Sequence, residues 1–326
     1  MFRYLSSFAV ILALSACSRD PAYVPDPAAE TRAVEASPAS SSTPLGNAPP
    51  DAAMTLQARF DCIREHGALI AAHRGGVRRD FPENALETLE ESYRRGLRIF
   101  ELDVAQSRDG ALFLMHDDTL DRTTTGKGAV RDTDWKDIES LALTSYDRPT
   151  PYAPPLLADA LDWAVASNSI LELDRKRSAN LEALVGAIEA RGASNHVAII
   201  TYSLEEARDV ARLAPDLMLT ASVESLADIA SLERAGVRRS NLIAWTGTQE
   251  LKPDLWRDLS DLGVEVAFGT LGRRGDRFDD IFWKDRNGEE YEQLVRDGVT
   301  LIATDFSDRV SAALTSDDDA IRQCGL

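Results

Sequence analysis

Residues 100–118 read FELDVAQSRDGALFLMHDD, with two acids, Glu101 and Asp103, set in an apolar run and a histidine, His116, closing the next one. In an extended strand, residues two apart share a face, so the two carboxylates project together. A second run, ILELDRK at 170–176, repeats the pattern with Glu172, Asp174 and Lys176. A third, ending at His73, is followed by Arg74-Gly75-Gly76. Burying a carboxylate is costly unless it is paired or ligates a cation. Two or three acids with oxygen donors and no cysteine suit a hard divalent ion such as Mg²⁺ or Ca²⁺. Ion pairs with lysine or arginine are the alternative use of such acids. Histidines beside them at strand ends point to catalysis.

These residues need elements to bring them together. Strands are expected over Ala68–His73, Ile99–Val104, Leu112–Met115, Ile170–Asp174, Val197–Tyr202, Leu217–Ser222, Leu242–Trp245, Val264–Phe268 and Leu301–Thr304. Helical patterns lie between most of them, as at Asn84–Arg95, Ala179–Arg191 and Leu204–Leu213. Only seven residues separate Val104 from Leu112, and they include the turn signal Arg108-Asp109-Gly110. A parallel crossover needs about a dozen residues or more, so this pair must be an antiparallel hairpin. Eight strands then remain, each with room for a helix. That is an α/β fold, the (β/α)₈ TIM barrel, whose active-site face is the C-terminal end of the strands. Excursions at about 117–155 and 271–288 interrupt the alternation, the first as a small inserted lobe beside the mouth.

The chain has 326 residues and a net charge of −18. That charge argues against nucleic acid as a partner, and a phosphate-bearing substrate would need metal or localised basic residues. Residues 1–17 have a basic residue at Arg3, an apolar run from Phe8 to Leu14 and small residues before Cys17. Leu14-Ser15-Ala16-Cys17 resembles a bacterial lipobox, which implies lipidation of Cys17, membrane attachment and a periplasm-facing protein. Ser18 after the cysteine favours the outer membrane. Residues 18–53, rich in Pro, Ala and Ser, read as a tether, and 54–326 as the barrel domain. Cys62 and Cys324 sit near the two ends of that domain and either pair or remain thiols.

The order and spacing of His73-Arg74-Gly75, Pro82-Glu83-Asn84, Glu101-Leu102-Asp103-Val104, Asp109-Gly110, His116-Asp117, Leu120-Asp121-Arg122-Thr123-Thr124 and Gly126 resemble the glycerophosphodiester phosphodiesterase family. Thr304-Asp305 resembles its closing motif. The resemblance implies a (β/α)₈ barrel, a divalent metal, an insertion after the strand carrying the second histidine, and a small-molecule glycerophosphodiester substrate. It makes His73 and His116 general acid and base, and Glu101 and Asp103 metal ligands. Asp174-Arg175-Lys176 stands where the family usually has Glu-x-Lys, so Asp174 is the expected third ligand. Lys176 and Arg74 are then expected to meet ligand or phosphate, and Glu172 to lie one layer deeper beside a basic residue. Departures occur at Ala85, where threonine is usual, and at AFGTLG (residues 267–272), where a tryptophan motif is expected. Two other functions remain open: a phospholipase of the same superfamily acting on lysolipids or lipid headgroups, and an inert ligand-binding envelope lipoprotein.

Overall fold

Apolar residues run almost unbroken through each core strand, the pattern of parallel strands buried on both faces. The computed structural model describes residues 54–326; the expected leader at 1–17, the lipobox Cys17 and the tether lie outside the described residues. Eleven strands form among them: β1 Leu69–Ala72, β2 Ile99–Gln106, β3 Leu112–Leu114, β4 Thr144–Ser145, β5 Arg148–Pro149, β6 Ile170–Arg175, β7 Val197–Ile200, β8 Met218–Ser222, β9 Leu242–Trp245, β10 Glu265–Gly269 and β11 Leu301–Thr304. Eight of these pair in parallel in the order β1-β11-β10-β9-β8-β7-β6-β2, and a parallel β1–β2 ladder closes the ring. β3 folds back antiparallel on β2, with Val104 opposite Leu114. This is the expected barrel and hairpin. No helix among the described residues is long and apolar enough to cross a membrane.

The lower end of the barrel is apolar. Ile99, Ile170, Met218, Ile243 and Leu301, from the start of their strands, pack with Leu56, Phe60 and Ile63 of the helix Leu56–His66. That helix starts where the Thr55 hydroxyl accepts from the Ala58 N–H. The C-terminal helix Ser316–Cys324 lies beside it, and a disulfide joins Cys62 to Cys324 with their Cα atoms 5.7 Å apart. Of the two open alternatives for these cysteines, the structure takes the pair.

Going up the barrel, the inward residues change character. The β2–β6 register sets Ile99 beside Ile170, then Glu101 beside Glu172, then Asp103 beside Asp174. The acids thus lie toward the C-terminal end, above an apolar plug. Most elements start or stop a residue or two from their expected bounds, and two of these shifts matter at this end. β1 stops at Ala72 because His73–Gly75 turns into a short 3₁₀ segment, with Arg74 left-handed at φ 52°. The helix expected from Asn84 begins at Leu86, because Asn84 itself is left-handed at φ 58°. Gly75 has φ 87°, a backbone that residues with side chains rarely adopt. The excursion at 117–155 packs Leu120, Val130 and Ile138 against Ala105, Phe113 and Met115 of the β2–β3 hairpin. The excursion at 271–288 contains one short helix, Phe278–Phe282.

Candidate active site

Glu101, Asp103 and Asp174 meet at the mouth, each offering an oxygen within 4.8 Å of the others. Burial pushes the Glu101 carboxyl above its ordinary range, and the charge of Asp103 adds to the shift. Burial would also raise Asp103, but the cationic Lys176 and Arg74 outweigh it and hold it low. Lys176 Nζ lies 2.5 Å from Asp103 Oδ1 and 2.6 Å from Asp174 Oδ2, so an ammonium bridges the two acids. Asp174 Oδ2 also accepts from the Tyr202 hydroxyl at 2.7 Å. Asp174 Oδ1 is buried with no hydrogen-bond partner. An orphaned carboxylate oxygen beside two more acids fits a hard divalent cation, which takes oxygen ligands and offsets clustered negative charge.

Short backbone devices aim these acids. Asn84, in its left-handed conformation, donates Nδ2–H to Asp103 Oδ2 at 2.7 Å and accepts the Asp103 N–H at 3.0 Å. The left-handed Arg74 turns its own N–H onto Glu101 Oε2 at 2.9 Å. Its guanidinium donates to Glu83 at 3.0 Å and lies 3.7 Å from Asp103. Arg74, expected to meet phosphate, is therefore already engaged by two acids at the rim.

Each histidine presents one nitrogen to a carboxylate behind it. His73 Nδ1 lies 2.7 Å from Asp305 Oδ1, and its Nε2 is turned to the acid cluster, 4.0 Å from Glu101 Oε2. Burial alone would depress the His73 imidazolium, yet the hydrogen bond and charge of Asp305 outweigh it and its pKa is raised. His116 Nδ1 lies 2.7 Å from Asp117 Oδ1. Asp117 is in turn gripped by Arg122 through two contacts of 2.8 Å, and Arg122 reaches on to Glu83. An ionised carboxylate only accepts, so Nδ1 of each ring is a donor to its carboxylate and Nε2 is the nitrogen left for proton transfer.

Glu172 does lie deeper, buried at 4 % exposure, but its partner is the Thr220 hydroxyl at 2.9 Å rather than a basic residue. Burial pushes its carboxyl up to about 7, with the Thr220 bond pulling the other way. A neutral acid needs no cation beside it. Reading the sequence by spacing singled out the acids and histidines but not Asn84, Asp305, Tyr202 or Arg277 as functional. Asn84 and Asp305 stand in quoted motifs, so a signal existed for them. Tyr202 and Arg277 carried none.

Comparison with known proteins extends these findings. An uncharacterised Bacillus subtilis protein, YqiK, is 27% identical over 260 residues, covering 76% of this chain and 99% of its own. A glycerophosphodiester phosphodiesterase of Caldanaerobacter subterraneus is 28% identical over 158 residues, 46% of this chain and 65% of that one. The crystal structure of a glycerophosphoryl diester phosphodiesterase from Parabacteroides distasonis superposes with a TM-score of 0.69 at 27% identity, covering 80% of this chain and 92% of that one. The sequence model of the glycerophosphoryl diester phosphodiesterase family matches residues 73–309, from the first histidine to beyond Asp305, and the chain therefore belongs to that family.

Proposed function

We propose that the protein is a metal-dependent hydrolase that splits glycerophosphodiesters into glycerol 3-phosphate and an alcohol. The observation that carries this reading is the pair of histidines held by carboxylates at Nδ1, with His73 Nε2 turned to the three clustered acids. Glu101, Asp103 and Asp174 would hold the ion, Mg²⁺ or Ca²⁺. When bound, such an ion neutralises charge developing on the phosphodiester oxygens. One of His73 and His116 takes a proton from the nucleophile at Nε2, and the other delivers one to the leaving alkoxide. Lys176, with two donors directed at Asp103 and Asp174, keeps a third for a phosphate oxygen. Arg74 is the second cation assigned to the phosphate. His73→Ala and His116→Ala are each expected to lower turnover of glycerophosphocholine by roughly 10²-fold or more. Near-normal turnover in either variant removes that histidine from the mechanism.

One observation favours the lysolipid reading as a second activity. Tyr202 and Leu251, on the loops after β7 and β9, and Leu204 and Leu226, the first residues of the helices after β7 and β8, are 66%, 43%, 43% and 42% exposed. Loops after barrel strands surround the mouth, and these present apolar surface there. Turnover of lysophosphatidylcholine alongside glycerophosphocholine, measured with Leu204→Ser and Leu226→Ser, separates the two. Selective loss on the lysolipid supports acyl-chain contact, and equal effects on both substrates refute it. We assign the chain to the periplasm-facing cell envelope, anchored through lipid on Cys17. Cys17→Ala should release it from membranes, and a wild-type chain already found in the soluble periplasmic fraction would refute the anchor.

A further inference from the structure

Asp305, the residue behind His73, is itself held at Oδ2 and at its backbone N–H by the excursion at 271–288. Arg277 Nη1 lies 2.5 Å from Asp305 Oδ2, the oxygen that His73 does not use. Asp280 holds the same guanidinium at Nε, 3.1 Å away, and the Phe306 ring lies 4.5 Å below it. Two residues along, Asp279 takes the Asp305 backbone N–H onto Oδ2 at 3.0 Å. Its other oxygen accepts from the hydroxyls of Tyr291 at 2.9 Å and Thr304 at 2.7 Å. Asp279 and Arg277 are buried, although both belong to an excursion rather than a barrel strand.

We propose that this excursion is a clamp for the His73 ring, with Arg277 as a positioning residue that acts through Asp305. The inference rests on His73 being a proton-transfer group. A carboxylate has one soft torsion about its own plane, and a hydrogen bond at a single oxygen leaves it free to swing. Arg277 on Oδ2 and His73 on Oδ1 together fix that plane, and Asp279 fixes the backbone it hangs from. His73 is thereby kept in one tautomer, with Nε2 toward the acids. A ring that swings by about an ångström loses on the order of 10²-fold in rate, without any change in how substrate or metal is bound. The other histidine has a parallel arrangement, in which Arg122 of the first excursion grips Asp117. Each excursion thus supplies an arginine to the carboxylate behind one histidine.

The test uses the full chain with Arg277→Gln, Arg277→Lys and His73→Ala. On glycerophosphocholine, Arg277→Gln is expected to lose roughly 10-fold or more in kcat with KM within about twofold of wild type. Titration calorimetry should find Mg²⁺ affinity unchanged, and Arg277→Lys should restore part of kcat. A kcat within twofold of wild type, or a loss shared equally by KM and metal affinity, overturns the clamp. The second readout is nitrogen-15 NMR of the imidazoles in the wild-type protein, with His73 assigned by its absence in His73→Ala. At a pH where the ring is neutral, a single Nδ1–H tautomer supports the inference, and an Nε2–H or mixed tautomer refutes it even if Arg277→Gln fails to fold. Normal turnover in His73→Ala would sink the functional reading instead, while an Nε2–H tautomer would still refute the clamp by itself.

Discussion

Asn84 offers the sharpest quantitative check on how the acids are held. Its side chain makes two buried bonds to Asp103, one to the carboxylate and one to the backbone N–H. Asn84→Ala removes both. The carboxylate keeps Lys176 and Arg74 close by, so its loss sits at the lower end of the roughly 1.5–3 kcal/mol for bonds to charge. The Asp103 N–H has no such substitute and is left buried without an acceptor, costing about 1–3 kcal/mol. Alanine at φ 58° adds about 1 kcal/mol for the left-handed backbone, which asparagine tolerates better. The expected total is about 3.5–5.5 kcal/mol. Asn84→Gly loses the same bonds but adopts this backbone freely, so it should cost about 1 kcal/mol less than alanine. Urea unfolding of wild type and both variants, read by circular dichroism, gives the two differences. A loss below about 1 kcal/mol in Asn84→Ala would refute the bonding argument, and glycine costing more than alanine would refute the strain argument. Calorimetry on the same proteins should show cation affinity reduced roughly 10- to 100-fold, as when a partner behind a ligand is removed.

Asp174→Asn should lose Mg²⁺ or Ca²⁺ binding in calorimetry while Glu172→Gln retains it; the reverse result would exchange their roles. The Cys62–Cys324 bridge closes a loop across 262 residues of sequence, which the chain-entropy view values at about 5 kcal/mol. Cys62→Ser with Cys324→Ser should therefore lower Tm by roughly 10 °C, and two titratable thiols in the native wild-type protein would contradict the bridge. Burial pushes Asp317 up to about 6, against the opposing bond from the Asp318 N–H. A carboxyl raised on folding costs stability above its folded pKa, and that cost fades as pH falls through 6 toward the unfolded value near 4. Asp317→Asn should accordingly raise Tm at pH 7 but have no effect by about pH 4; a gain equal at both pH values would exclude this cause.

Much of the framework was legible without the structure. Each barrel strand is a short, continuous apolar run, and only a hairpin fits the seven residues between Val104 and Leu112, so strand count and closure follow from local pattern and connection length. Alternation alone places Glu101 with Asp103 and Glu172 with Asp174 on inner faces. The carboxylate behind His116 is its neighbour Asp117, but the partners behind His73 were not legible by spacing, because they come from the far end of the chain. Asp305 lies 232 residues from His73, and Arg277 stands in an excursion with no periodic pattern. Tyr202 was read as the end of a strand, whereas β7 stops at Ile200 and the tyrosine turns its hydroxyl to Asp174.

A two-residue period and a strand direction suffice to say which residue types line the inside of the barrel and at which end they gather. Which acids meet depends on contacts made in the folded chain. Glu101 and Glu172 are register partners on neighbouring strands, yet they part company. The Arg74 N–H draws the Glu101 carboxylate to the rim, where it joins Asp103 and Asp174. Thr220, reaching in from β8, takes the Glu172 carboxyl at a depth where burial favours its neutral form. Alternation is identical for the two glutamates, and what separates them is a donor brought close by chain folded from elsewhere.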